Sequence, residues 1–174
     1  MKSKENIVFL GMMGSGKTSI GYLVAKKLKL DFLDIDKEIE IQMEMTINKI
    51  FKKKGENYFR KIEETTTLKS LKLNSVVISL GGGAFINRNI RKEVLKNHFS
   101  FWLNWKNEVL MNRIKKSAKR PLAFNSTDFD LMNLIKKRSN IYSKALFEIK
   151  CDNLSKNQIV KKILDIYETC KIKN

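Results

Sequence analysis

The chain has 174 residues, 43% of them hydrophobic and 30% charged, and its 35 Lys and Arg against 18 Asp and Glu give a formal charge of +17. That length and balance describe one soluble globular domain with room for a real core, and they exclude a disordered or low-complexity chain. Two cysteines are too few for a disulfide scaffold, and a single histidine excludes His-dependent triads and multi-His metal sites.

In chain order, Ile7-Val8-Phe9-Leu10 predicts a first strand. Directly after it stands Gly11-Met12-Met13-Gly14-Ser15-Gly16-Lys17-Thr18, a complete G-x-x-x-x-G-K-T loop. Ile20, Leu23, Val24 and Leu28 then keep helical spacing through residues 17–29. A strand before and a helix after are the context in which this loop holds phosphate. Its glycines admit unusual backbone angles and close approach, so consecutive N–H groups of the loop can wrap phosphate oxygens. The helix turns its positive end to the same anion, Lys17 reaches the outer phosphates, and the Thr18 hydroxyl can ligate magnesium. This segment predicts a nucleoside triphosphate site.

Asp31 to Ile35 predicts a second strand, ending in Asp34-Ile35-Asp36. Two residues apart on an extended chain, Asp34 and Asp36 would point the same way, toward the phosphate loop. One could hold magnesium through water while the other orients or deprotonates a hydroxyl acceptor. Alternatively, Asp36 is the N-cap of a helix beginning at Lys37. Residues 37–72 are longer than one crossover helix needs and read as helices over Glu38–Glu44, Ile47–Lys53 and Tyr58–Leu71, an insertion suited to holding a substrate. Within it, Arg60 either pairs with Glu63 or Glu64 at helical spacing or clamps a substrate carboxylate with two parallel hydrogen bonds.

Val76-Val77-Ile78-Ser79 predicts a third strand, apolar as one covered on both faces should be. Gly81-Gly82-Gly83 follows it. A turn needs one or two glycines; three predict backbone lying close against something, with N–H groups left to donate. Phe99 to Leu103 and Phe147 to Cys151 predict strands four and five, and Ile159, Val160, Ile163, Leu164 and Tyr167 stripe a closing helix. The basic segment 114–127 holds the only proline and reads as a lid, whose Arg120 could neutralise charge on a migrating phosphoryl group. Arg138, among Lys136-Lys137-Arg138-Ser139, reads as solvated helix surface. The alternation predicts an α/β, three-layer P-loop fold with a five-stranded parallel sheet flanked by helices, plus the insertion and the lid, in one domain over residues 1–174.

The positive charge raises an alternative, an ATP-dependent nucleic-acid-binding module. Its lysines are spread in pairs such as Lys26-Lys27, Lys115-Lys116 and Lys161-Lys162 on polar helix faces, without a stacked-aromatic motif. A solvated surface and no specific nucleic-acid partner are therefore expected. No apolar run approaches membrane-spanning length, and residues 1–30 lack a signal peptide's apolar core, so a cytoplasmic protein without membrane contact is expected.

Together these segments resemble the shikimate kinase family, small kinases with the nucleoside-monophosphate-kinase fold. The resemblance runs through the phosphate loop, Phe32-Leu33-Asp34-Ile35-Asp36, Ile50-Phe51, Gly55-Glu56, Phe59-Arg60, Glu63, the triple glycine, Arg120-Pro121-Leu122, and Arg138 with Tyr142. It implies transfer of the γ-phosphoryl group of ATP to the 3-hydroxyl of shikimate by a monomer, with Mg2+ as cofactor. It further implies that Lys17 and the loop from Gly14 to Ser19 hold the phosphates, and that Thr18 ligates the metal directly and Asp34 through water. Asp36 would bind the substrate hydroxyls and accept the proton; Arg60 and Arg138 would clamp the carboxylate. Gly81, Gly82 and Gly83 would supply backbone contacts, Phe51 and Phe59 an apolar wall, Arg120 a lid contact to phosphate, and Arg113 a stacking surface for adenine. Thr18-Ser19 stands where Ser-Thr is more frequent, which keeps the hydroxyl that magnesium needs. The adenine-contact loop is expected near Asp152 to Lys156.

Overall fold

The structure, a computed structural model, describes residues 6–116 and 127–172. Its elements run β1 (Ile7–Leu10), α1 (Lys17–Leu28), β2 (Asp31–Asp34), α2 (Ile35–Met43), α3 (Ile47–Lys54), α4 (Glu56–Leu71) and β3 (Val76–Ser79). After a short 3-10 turn at Ala84–Ile86 come α5 (Arg88–Asn97), β4 (Phe99–Asn104), α6 (Asn107–Lys116), α7 (Asp128–Tyr142), β5 (Phe147–Lys150) and α8 (Lys156–Ile172). The strands form one sheet in the order β2-β3-β1-β4-β5, with every neighbouring pair parallel. No described helix is long and apolar enough to cross a membrane.

Side chains alternate across the sheet, and both faces are covered. Val8 and Leu10 of β1, Ile78 of β3 and Trp102 of β4 pack with Ile39, Leu71, Ile90 and Ile135 from α2, α4, α5 and α7. Ile7, Phe9, Val77, Phe101 and Ile149 pack on the opposite face with Ile20 and Val24 of α1 and Ile159 and Ile163 of α8. Continuous apolar strands are what such double coverage requires. The buried Asn6 ties the start of β1 to the end of the insertion: its amide donates to Leu71 O and Leu73 O at 3.2 and 2.6 Å, and its oxygen accepts from Val76 N at 3.0 Å.

Strand order also places the site. From β1 the chain leaves through α1 toward β2, whereas from β3 it leaves through α5 toward β4 on the other side of β1. The loops following β1 and β3 therefore diverge and open a crevice at the carboxyl edge of the sheet, where such folds bind ligands.

The second strand is shorter than its composition predicts. It ends at Asp34, whose carboxylate accepts Asp36 N at 3.1 Å and Lys37 N at 3.4 Å and so caps α2. Ile35 is buried in the first turn of that helix. Asp36 thus lies neither on an extended strand beside Asp34 nor at the N-cap; it is a first-turn residue held by the cap of its neighbour. The insertion does contain three helices, the last starting at Glu56 rather than Tyr58.

Candidate active site

The phosphate loop is shaped for an anion by its own backbone. Gly16 is the N-cap of α1 at φ 91°, a left-handed conformation that side-chain-bearing residues rarely adopt. Being glycine, it offers no side chain to cap the helix, and the first turn holds no acidic residue. By contrast, Asp34, Thr46, Asn87 and Thr127 cap α2, α3, α5 and α7 with their side chains. The uncapped positive end of α1 suits a phosphate.

Side chains converge on that end. Lys17 is buried, and its ammonium donates to Gly11 O at 2.9 Å and Met12 O at 3.0 Å. The Thr18 hydroxyl donates to Asp34 Oδ2 at 2.5 Å, and that of Ser19 to Gly16 O at 3.1 Å. Ser15 N–H closes a turn onto Met12 O at 3.2 Å. A cavity of about 660 Å³ borders Gly14, Gly16, Lys17, Thr18, Asp34 and Asp36.

Arg113 of α6 reaches the loop from outside, donating to Gly14 O at 3.4 Å, with its guanidinium 3.8 Å over the Trp105 ring. Trp105 itself donates to Ser15 O at 2.9 Å. The predicted adenine loop contributes Asp152, which accepts Lys106 N at 3.0 Å and borders an open cavity with Trp105 and Lys150. Burial pushes the thiol of nearby Cys151 up to about 12.

A second cavity of about 340 Å³ lies under the insertion. Ile47, Phe51, Phe59 and Met13 form its apolar side, and Phe51 and Phe59 pack with ring centroids 4.7 Å apart. Asp36, Arg60, Glu63 and Arg138 are among its charged residues, with Asp34, Lys37 and Glu40. Arg60 Nη1 donates to Glu63 Oε2 at 2.6 Å, and its Nη2 to Glu56 Oε1 at 3.0 Å. Helical pairing and a place on the cavity wall therefore coexist. Glu64 takes no part, since it accepts from Asn89. Burial works against the Arg60 charge, but Glu63 and Glu56 more than offset it and hold its pKa above the usual arginine value. Glu63 is only 3% exposed; burial raises its pKa, opposed by Arg60 and reinforced by Asp36.

Arg138 corrects the surface reading of its segment. It is 7% exposed and donates to Gly82 O at 3.3 Å, an oxygen that also accepts from the Tyr142 hydroxyl. Burial pushes that phenol up to about 12 despite the neighbouring Arg138. The three glycines are explained by their neighbours. A Cβ on Gly83 would stand 2.3 Å from Arg60 Nη1, and one on Gly81 2.6 Å from Glu63 Oε1 and 2.7 Å from Asp36 Oδ1. Gly82 and Gly83 border the cavity, whereas Gly81 packs beneath its carboxylates without lining it.

The two cavities share Thr18, Asp34, Asp36 and Lys37. A phosphoryl group held by the loop would pass to an acceptor at this junction. Lys37 and Trp105 have no role in the sequence reading, and Glu63 enters it only as a pairing partner for Arg60 and as part of the resemblance. Glu63 stands three residues from Arg60, a readable signal, but the cavity walls are long-range. Arg120 lies outside the described residues, as do positions 117–126 in general. Of the expected lid, Ile114 to Lys116 belong to α6, with Ile114 in the core, and Thr127 caps α7.

Comparison with known proteins agrees with this architecture. A family model described as shikimate kinase matches residues 13–168. The chain is 40% identical over 179 residues to the shikimate kinase of Bacillus subtilis, covering 97% of this chain and 90% of that one. It is 37% identical over 162 residues to that of Bartonella quintana, covering 92% and 77% respectively. Among solved structures, the shikimate kinase from Acinetobacter baumannii in complex with shikimate superimposes with a TM-score of 0.90 at 29% identity, covering 98% of this chain and 96% of that one.

Proposed function

We propose a division of roles within the site of this chain, which belongs to the shikimate kinase family. It transfers the γ-phosphoryl group of ATP to the 3-hydroxyl of shikimate, giving shikimate 3-phosphate and ADP, in the biosynthesis of chorismate and the aromatic amino acids. The observation that carries the assignment of roles is the junction of the two cavities at Thr18, Asp34, Asp36 and Lys37.

In this reading the loop from Gly14 to Ser19 holds the triphosphate, and Lys17 stabilises charge on the group in transit. Arg60 and Arg138 bind the shikimate carboxylate, Phe51 and Phe59 flank its ring, and the Gly81–Gly83 backbone accommodates its edge. The 3-hydroxyl oxygen bonds to the γ-phosphorus as the bond to the bridging oxygen of ADP breaks, and its proton passes to Asp36. Arg113 offers its guanidinium plane to adenine, and Arg120, by resemblance, adds positive charge from the lid.

Mg2+ fits the donor set: Thr18 Oγ1 and Asp34 Oδ2 are hard oxygens 2.5 Å apart beside the phosphate loop. Thr18 would ligate it directly and Asp34 through water, and it would neutralise charge on the β- and γ-phosphates. The same reading takes the protein as a monomeric single kinase domain over residues 1–174, with a substrate-binding insertion at about 37–72 and a lid at about 114–127. It places the protein in the cytoplasm, with its lysines as solvated surface and no nucleic-acid or membrane partner.

A coupled assay of ADP release with Mg-ATP tests the reading. Turnover should require shikimate; turnover on gluconate or a nucleoside monophosphate, with none on shikimate, would refute it.

A further inference from the structure

Trp105 has no part in the roles above, yet it touches the donor half twice. Its indole N–H donates to Ser15 O at 2.9 Å, and its ring lies under the Arg113 guanidinium at 3.8 Å. Arg113 in turn donates to Gly14 O at 3.4 Å. One side chain that follows β4 thus binds the phosphate loop directly and again through an arginine of α6. We propose that Trp105 is a positioning residue for the nucleotide, locking the phosphate loop and the Arg113 plane into one unit. The second arm of this proposal rests on the reading of Arg113 as the surface that meets adenine.

The first arm acts through the peptide plane. With no cis bonds in the described backbone, fixing the Ser15 carbonyl fixes the Gly16 N–H in the opposite direction. Gly16 borders the cavity shared with Lys17 and Thr18, and at φ 91° it is a joint with unusual backbone freedom. A tether on the adjoining carbonyl restrains the loop at one of its glycine joints. The second arm acts through stacking. A guanidinium has two faces, and Trp105 covers one, so a purine can stack only on the other. Arg113 is held before nucleotide arrives, which lowers the ordering needed on binding.

Two variants of the full chain separate the arms. Trp105→Phe keeps a ring under Arg113 and removes the N–H donor; Trp105→Leu removes both. Calorimetry should be run with ADP and with inorganic tripolyphosphate, which has no base, alongside steady-state kinetics. Trp105→Phe should weaken ADP and tripolyphosphate by the same factor, about three- to tenfold. Passing from Phe to Leu should cost about a further tenfold for ADP with little change for tripolyphosphate. That Phe-to-Leu step should vanish in an Arg113→Gln background. The KM for shikimate should stay within about twofold throughout, which a distortion spreading across the whole site would not allow.

Wild-type affinities in Trp105→Leu, or equal losses for ADP and shikimate, would overturn the proposal. So would a Phe-to-Leu step that survives in Arg113→Gln while that variant itself weakens ADP, and there the role of Arg113 would stand. If Arg113→Gln leaves ADP affinity at the wild-type level, the Arg113 reading and the stacking arm fall together.

Discussion

On the proposed roles, the phosphate-binding core of the donor half comes from one uninterrupted stretch, residues 11–19, whereas the acceptor half is gathered from α2, α3, α4, the loop after β3 and α7. The two also differ electrostatically. The donor half presents the bare positive end of α1, with no side-chain cap and no acid in its first turn. In the acceptor half, Arg60 is already paired with Glu56 and Glu63, while Arg138 bonds the neutral Gly82 carbonyl. On the proposed clamp, a substrate carboxylate would compete with two directly bonded carboxylates for Arg60, whereas Arg138 bonds the Gly82 carbonyl and Met12 Sδ and feels Glu63 only through space. Arg138 should therefore be the stronger arm of the clamp, and Arg60 should matter as much for folding as for binding.

The largest expected effect lies in the donor half. Lys17→Ala removes the buried ammonium and should lower kcat by about two to three orders of magnitude while leaving the KM for shikimate near its wild-type value. A near-normal kcat would break the donor assignment. Next comes Arg138→Ala, which should raise the KM for shikimate by roughly ten- to a hundredfold and that for ATP by less than about twofold. Arg60→Ala, compared directly, should raise the shikimate KM less but lower the melting temperature more, because it strands the buried Glu63 carboxylate. Reversed rankings in kinetics and melting would show that the pairing of Arg60 does not set its role.

Gly83→Ala sharpens the same contrast with a smaller effect. Its Cβ would meet Arg60 Nη1 at 2.3 Å, and since that atom ends a flexible side chain, the guanidinium should shift rather than the fold fail. A several-fold rise in shikimate KM with a melting temperature within about 3 °C of wild type is expected. A large stability loss with unchanged KM would contradict this picture.

The smallest effect is one of pH. Glu63 is easier to protonate in the folded chain than in an ordinary carboxylate setting, because burial raises its pKa. Its contribution is full below the usual glutamate range and declines as pH rises through the raised folded value. From the usual glutamate range upward, wild type should lose stability relative to Glu63→Gln as pH increases, until the folded carboxyl is fully ionised. A constant difference across that window would show that the folded carboxyl titrates normally.

Legibility in sequence follows the same division. The phosphate loop is readable because adjacent residues carry its entire chemistry, and the strands because double coverage leaves runs such as Val76-Val77-Ile78 continuously apolar. The helix cap lies at Asp34, two residues before the Asp36 that the sequence offers, since the point where strand gives way to helix depends on the core that buries Ile35. Arg138 sits among lysines and looks solvated; the carbonyl that buries it comes from Gly82, 56 residues earlier. The triple glycine predicts close approach, but only the fold reveals that the approaching groups are Arg60, Glu63 and Asp36. Trp105 bonds to a carbonyl 90 residues away, which no local pattern encodes.

The claim that the acceptor half reads a carboxylate is tested most directly by comparing shikimate with its methyl ester, which keeps the ring and the 3-hydroxyl but loses the charge. On the wild-type chain kcat/KM should fall by about a hundredfold or more for the ester, and the gap should narrow sharply in Arg138→Ala. Equal turnover of acid and ester by the wild-type chain would contradict the clamp.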